Sequence, residues 1–218
     1  MDGYGYVGSG PSRRVPFMGW YGTLLLAKPV TGTLPTHPQV RPAFGSRFGT
    51  PDPVWGNAVG LYDLGHGWQR VGVKPFYSER LRLAAGVENL AAATAAPVLA
   101  GWVAESVCAH LEGRTPAGRA FSLHLPNTDE DCGYEHLEGR PGRVEPRLAV
   151  EAIEAWAYEA GRTSSTEVIS AIVDGTWNEA PAMEDEVLAL FAALGFPLGT
   201  EIPPVVDPDD PAGPPVVP

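Results

Sequence analysis

The sequence predicts an α+β domain: a mostly antiparallel sheet with one packed helix, followed by a small C-terminal helical subdomain and a disordered, proline-rich tail. Three observations predict it. Short apolar stretches bounded by glycine and proline recur between residues 17 and 126, one alanine-rich segment among them has the helical period, and better-punctuated helical segments follow residue 146. A chain of 218 residues is long enough to bury such a core without disulfides.

The composition divides the chain into a folded core and a helical subdomain, separated by an acidic connector loop and flanked by two irregular ends. Glycine, serine and proline dominate the flexible N-terminus, and proline dominates the tail. The boundaries that we assign are 1–16 for the N-terminus, 17–126 for the α+β core, 127–146 for the connector, 147–200 for the helical subdomain and 201–218 for the tail.

The first strand signal is "MGWYGTLLLAKP", which is apolar from Met18 to Ala27 and stops before a proline that cannot donate to a ladder. "AVGLYDLGHGWQRVGVKPF" predicts two strands around a turn at Gly65–Gly67, where glycine accepts the positive φ of a tight hairpin. "ERLRLAAGVENLAAATA", which Ser78 would cap, predicts the packed helix, ending before Pro97.

The next segment, "PVLAGWVAESVCAHLEG", has two interpretations. As one helix it places Val98, Trp102 and Leu111 on a single apolar stripe; as two short strands it turns Val107, Ala109 and Leu111 inward. We favour strands, because the preceding "TAAPV" junction and the glycine at position 101 suit a passage from helix to strand. "RTPAG" would then turn the chain into a further strand, "RAFSLHL".

The last third of the chain predicts three short helices. Pro146 suits the first turn of one helix and Gly161 the residue after its end. Ser164 and Glu167 have capping-box spacing for a second helix, and Pro181 opens the third.

The charge is divided between the two halves of the chain. Residues 1–86 carry nine Lys/Arg and four Asp/Glu, whereas residues 87–218 carry six and 22, and together they give the net charge of −11. The scattered arginines of the first half make no continuous basic patch, which argues against nucleic-acid binding. No apolar run reaches the length of a membrane span, and the first residues lack the order of a signal peptide. We therefore expect a cytoplasmic protein with no membrane contact, and the alanine- and proline-rich composition suggests a bacterial origin.

A candidate zinc site comes from the strand interpretation. Two residues of one strand, two apart, share a face, and a hairpin that keeps Leu111 and Leu123 inward brings the histidine of the next strand beside them. A cysteine and a histidine in the connector complete a set that is chemically adequate for zinc: Cys108, His110, His124, Cys132 and His136. The alternative is that the cysteines are small hydrophobes and the histidines face solvent, because the spacing matches no known zinc pattern.

Aromatic and acidic residues supply a candidate protein-binding surface. Tryptophans in glycine- and proline-rich loops and acids in the connector are residue types that suit an exposed interface. The residues that we select are Trp55, Trp68, Asp129, Glu130, Asp131 and Glu135.

Two functions of different class follow. The first is a non-catalytic interaction protein (an adaptor, an assembly accessory or an inhibitor resembling immunity proteins) that binds another protein through its acidic half. It is favoured because no phosphate-loop, nucleophile-elbow or zincin motif occurs. The alternative is a hydrolase with a metal or histidine site at the His110/His124 hairpin, where imidazole could act as a general acid or base near neutral pH.

Overall fold

A computed structural model describes seven stretches of the chain. The N-terminus 1–16, Trp55, Ser78, Glu135, Pro181 and the tail after Ile202 fall outside them, and so do the predictions made for these residues. The described residues are 20–37, 40, 60–73, 83–134, 136, 139–177 and 182–202.

These residues form an α+β fold, as the sequence predicts, built on one antiparallel sheet of seven strands in the order β6-β5-β4-β1-β3-β2-β7. The strands β3 and β4 lie on either side of β1 and run parallel to each other, so the intervening chain crosses over the sheet. The strand bounds are β1 Gly22–Ala27, β2 Leu61–Gly65, β3 Trp68–Val73, β4 Val98–Ala104, β5 Cys108–Arg114, β6 Ala120–Leu125 and β7 Thr200–Ile202.

Helices cover both faces of the sheet. Helix α1, Leu83–Thr94, is the crossover between β3 and β4 and packs on one face, as the single packed helix of the prediction. Helices α2 (Pro146–Glu159), α3 (Thr166–Val173) and α4 (Met183–Ala193) pack on the other. A 3₁₀ turn, Leu34–Thr36, lies between β1 and β2. Among the described residues, no helix is long and apolar enough to cross a membrane.

The segment 98–112 is a pair of strands, which confirms the interpretation that we favour. Glu105 and Ser106 form the tip between β4 and β5 with φ of 50° and 58°, and Val107 N donates to Ala104 O at 2.9 Å. Positive φ at both central residues is the pattern of a tight hairpin turn whose twist matches the strands. Val107 therefore belongs to the turn and is 48% exposed, so the prediction that it faces inward is wrong.

Glycine at position 101 allows the sheet and helix α4 to approach closely. A Cβ atom there would lie 2.8 Å from Leu111 Cδ2, closer than Cβ atoms are found, and 3.0 Å from Val187 Cγ1, tighter than most Cβ contacts. The glycine that suggested a junction in the sequence is thus a packing position in the middle of β4.

The C-terminal helices share one core with the sheet. Trp156 of α2 is fully buried, and its Nε1 donates to Val98 O and Arg114 O, both at 3.1 Å. Pro146 opens α2 as predicted, whereas α3 begins at Thr166 after Ser165, one residue beyond the predicted cap at Ser164. Residues 201–202, assigned to the tail from sequence, belong to the edge strand β7 paired with β2.

The prediction that Trp68 lies in an exposed loop is wrong. Trp68 begins β3, is only 4% exposed, and packs edge-on against Trp156 and Phe196 with ring centroids 6.3 and 4.8 Å apart. The hairpin glycines before it end at Gly67, so the indole enters the core with the first residue of the strand. Its large apolar surface stabilises the fold and is not available to a partner.

Candidate metal centre

The β5–β6 hairpin places three chemically active side chains on one face of the sheet. His110 lies opposite His124 and Leu111 opposite Leu123, the register that the sequence predicts. Because side chains alternate along a strand, Cys108, His110 and His124 share the face that carries α1, while both leucines enter the core under α2–α4. The β5–β6 part of the candidate site is thus set by a rigid pair of strands.

The connector returns over this face because its two ends are tied together. Asn127 Nδ2 donates to Val144 O at 2.8 Å, and Val144 N donates to Asn127 Oδ1 at 3.0 Å. Arg140 also donates to the carbonyl of Thr128. The chain between these bonds forms a closed loop, which brings Cys132 and His136 down onto the strands.

Four of the five predicted ligands converge. Cys108, His124, Cys132 and His136 each offer one sulfur or nitrogen atom, and these four atoms all lie within 4.8 Å of one another. The Nε2 atom of His136 is 3.1 Å from the sulfur of Cys132 and 3.8 Å from that of Cys108. Bond lengths of roughly 2.0–2.3 Å in a tetrahedral zinc site place neighbouring ligand atoms about 3.3–3.8 Å apart. The 3.8 Å separation lies in this range and the 3.1 Å separation just below it, and any wider pair in the cluster, up to 4.8 Å, would have to draw together around the ion.

The orientation of His124 is that of a metal ligand. Its Nδ1 lies 2.8 Å from Pro126 O and donates to it, which leaves the lone pair on Nε2. That Nε2 atom is buried and, among the described residues, has no hydrogen-bond partner. An imidazole held through one nitrogen by a backbone carbonyl, with the other nitrogen free, is the usual arrangement around a bound metal.

Burial keeps Cys108, His124 and His136 uncharged in the absence of a metal. Burial, followed by the neighbouring Cys132 thiol, raises the pKa of the Cys108 thiol to about 12. Burial lowers the pKa of His124, and burial together with the nearby histidines lowers the pKa of His136 to about 4. Both imidazoles are therefore neutral at neutral pH, with lone pairs available. A divalent cation with two thiolates and two imidazoles has no net charge, which a buried pocket tolerates far better than an isolated ion.

His110, the fifth predicted ligand, is held away from the other four. Its Nε2 lies 2.9 Å from Glu112 Oε1 and 3.2 Å from Ser122 Oγ, and Arg114 approaches the other carboxylate oxygen at 3.4 Å. His110 is 6% exposed and Glu112 is 3% exposed, so the alternative in which the histidines face solvent is wrong for His110. The sequence signal for this pairing is the spacing of two, which puts Glu112 on the same side of β5.

Aromatic side chains that sequence reasoning did not assign to the site line one side of it. Trp102 stands edge-on to the His136 ring, with centroids 5.2 Å apart. The ring of Tyr21 contacts the rings of Trp102 and Tyr134, with centroids 6.4 and 6.3 Å apart. Trp102 lies opposite His110 in the β4–β5 register, so it shares the face of the candidate ligands. The alternation of side chains along β4 is the sequence signal that could have assigned it to the site. These rings shield the cluster from water on that side.

Three of the four acids selected from the connector are described, and they lie on its surface. Asp129, Glu130 and Asp131 are exposed. Asp129 pairs with Arg143 at 3.5 Å, and Asp131 Oδ1 accepts from Gly133 N at 3.0 Å. The loop that turns two candidate ligands inward thus turns three acids outward.

No family model, curated protein or solved structure gives a significant match to this chain.

Proposed function

We propose that this chain is a non-catalytic zinc protein whose metal fixes the acidic connector as a docking surface for another protein. One observation carries the zinc assignment: two sulfur and two nitrogen atoms from β5, β6 and the connector meet within 4.8 Å. Both thiols would remain available in the reducing cytoplasm that we propose as the location of the chain.

The ligand set selects the metal. Thiolate sulfur and imidazole nitrogen in equal number suit a tetrahedral zinc ion, whereas calcium and magnesium take oxygen ligands. His124 is already in the ligating tautomer, and its Nε2 is buried beside both cysteines. A zinc ion would give this nitrogen the partner that it lacks among the described residues.

Four protein ligands make a closed, structural centre. Catalytic zinc keeps a coordination position for water or substrate, and structural zinc does not. Among its described residues, the bonds that close the connector are chiefly the Asn127–Val144 pair and the Arg140–Thr128 contact. Zinc would therefore decide whether Cys132 and His136 stay on the sheet. The alternative, a hydrolase at the His110/His124 hairpin, stays a prediction.

Charge complementarity indicates the type of partner. Asp129, Glu130 and Asp131 are consecutive and exposed on the connector. A partner surface rich in lysine and arginine fits them, and nucleic acid, which is itself anionic, does not. The zinc would act by holding three charges in one arrangement, which reduces the ordering cost of binding.

Metal analysis of the purified full chain tests the zinc centre. We expect about one zinc per chain in protein expressed with zinc, and loss of most of it in Cys132→Ser and His136→Asn. His66→Asn is the matched control, because His66 lies on the exposed β2–β3 turn with φ of 54°, which asparagine tolerates. Cobalt substitution should give the intense visible bands of a tetrahedral thiolate site. Less than about a tenth of a zinc per wild-type chain would overturn the assignment.

Charge-neutral variants test the docking surface. We expect a protein captured by the zinc-loaded chain at low salt to be lost when Asp129, Glu130 and Asp131 become Asn, Gln and Asn, and lost again when zinc is removed. A control variant with Gln at the exposed positions Glu88, Glu151 and Glu167 removes the same charge elsewhere. Equal capture by both triple variants would contradict a role for the connector acids.

A further inference from the structure

We infer that the zinc centre is sensitive to oxidation: a peroxide joins Cys108 and Cys132 in a disulfide and releases the metal. This inference rests on the proposed zinc function. It adds a mode of regulation, in which the redox state of two thiols decides whether the connector is held by metal.

The two cysteines of the chain are both in the ligand set. Their sulfur atoms lie within 4.8 Å of each other, and no third thiol exists in the sequence to compete for either. A disulfide needs the sulfurs about 2 Å apart, so the two side chains must approach each other before the bond can form. Gly133, next to Cys132, has no atom within 4 Å of the place where a Cβ would stand, so neighbouring atoms do not crowd the connector on that side.

Exposure sets the order of the reaction. Cys132 is half-buried at the surface of the connector, whereas Cys108 is buried on β5. The Cys132 thiolate attacks one oxygen of hydrogen peroxide, the O–O bond breaks, and sulfenic acid and hydroxide form. The Cys108 thiolate then attacks the Cys132 sulfur, the S–O bond breaks, and a second hydroxide leaves as the disulfide forms. Two thiolates are oxidised by two electrons, and one peroxide is reduced to two hydroxides.

Metal release follows from the ligand count. A disulfide sulfur is a poor zinc ligand, so only His124 and His136 remain, and two imidazoles do not retain zinc against competing chelators. The disulfide itself joins β5 to the connector near the place where the metal joined them. Oxidation thus exchanges one link for another and frees both histidines.

The test uses the zinc-loaded full chain treated with hydrogen peroxide. Released zinc is followed with a chromophoric zinc indicator, and the intact mass is measured after denaturation without reductant. We expect one zinc released per chain, a mass lower by two hydrogen atoms than that of the reduced protein, and recovery of zinc binding after reductant and zinc are added. Cys132→His keeps four ligands but cannot form the disulfide, and should release zinc at least about tenfold more slowly.

The outcomes separate this inference from the proposed function. Zinc that stays bound under peroxide, or a protein that gains oxygen atoms on Cys132 without a disulfide, overturns the inference and leaves the zinc centre standing. Equal release rates for the wild type and Cys132→His also overturn it, because the disulfide would then play no part. A wild-type chain that binds no zinc overturns both.

Discussion

Thermal stability should depend on free zinc, because the four ligands come together only in the folded chain. In the unfolded chain, Cys108, His124, Cys132 and His136 are spread over three segments that nothing holds together, so zinc binds the native state preferentially. A ligand that does so adds about 2.7 kcal/mol at a free concentration 100 times its dissociation constant, and about 1.4 kcal/mol for each further tenfold. For a chain of 218 residues, 1 kcal/mol corresponds to about 2–4 °C in Tm, so this predicts about 5–11 °C at the first concentration.

The assay is a series of unfolding scans in buffers that hold free zinc at stepped concentrations with a chelator. Wild-type Tm should rise with the logarithm of free zinc, whereas Cys132→Ser should give a flat line and His66→Asn should follow the wild type. The far-UV circular dichroism of the zinc-free protein should stay close to that of the loaded protein, because the hydrophobic clusters on both faces of the sheet hold it together. A wild-type Tm that does not change with free zinc would refute the reasoning.

Three further changes test the connector, the core and a buried acid. Asn127→Ala removes both bonds to Val144 and should weaken zinc binding about tenfold in a chelator competition. Unchanged zinc affinity would show that the Asn127–Val144 bonds do not help to close the site. Trp156→Phe leaves two strand carbonyls without their indole donor and should cost about 2–4 kcal/mol in urea unfolding, whereas Tyr158→Phe, 82% exposed in the same helix, should change little. An equal loss of unfolding free energy in the two variants would contradict the indole hydrogen bonds assigned to Trp156. Burial raises the pKa of Glu186 above 4.5, so the folded carboxyl holds its proton more tightly than the unfolded one, and stability is lost as pH rises through the folded value. Glu186→Gln should therefore unfold at a higher temperature than the wild type at pH 7, with the difference vanishing below pH 4.5; an equal gain at both pH values would contradict this cause.

The strand half of the site was predictable because alternation is a local property. Once residues 108–112 are pleated, Cys108 and His110 share a face, and keeping Leu111 and Leu123 in the core leaves one register, which puts His124 opposite His110. The same rule could have removed His110 from the ligand set, because Glu112 lies on its side of the strand at hydrogen-bond distance.

The position of the connector half of the candidate metal centre was not predictable from the sequence. Cys132 and His136 follow an irregular segment, and their return to the sheet depends on the long-range Asn127–Val144 bonds, which leave no periodic pattern in the sequence. The prediction that Trp68 lies in an exposed loop failed for a related reason. Glycines before a tryptophan indicate a turn, but they do not show whether the ring after the turn enters the core.

The division of the ligands between two parts of the fold makes metal binding and connector closure a single equilibrium. Cys108 and His124 are held by adjacent strands, and the carbonyl of Pro126 keeps the His124 ring oriented whether or not zinc is present. Cys132 and His136 reach zinc only when the connector is closed, so each bond that favours closure raises zinc affinity by the same factor by which zinc favours closure. The exposed acids of the connector are part of that equilibrium. A basic partner that binds these acids only when the connector is closed would tighten zinc binding. Loss of zinc would weaken binding of the partner by the same factor.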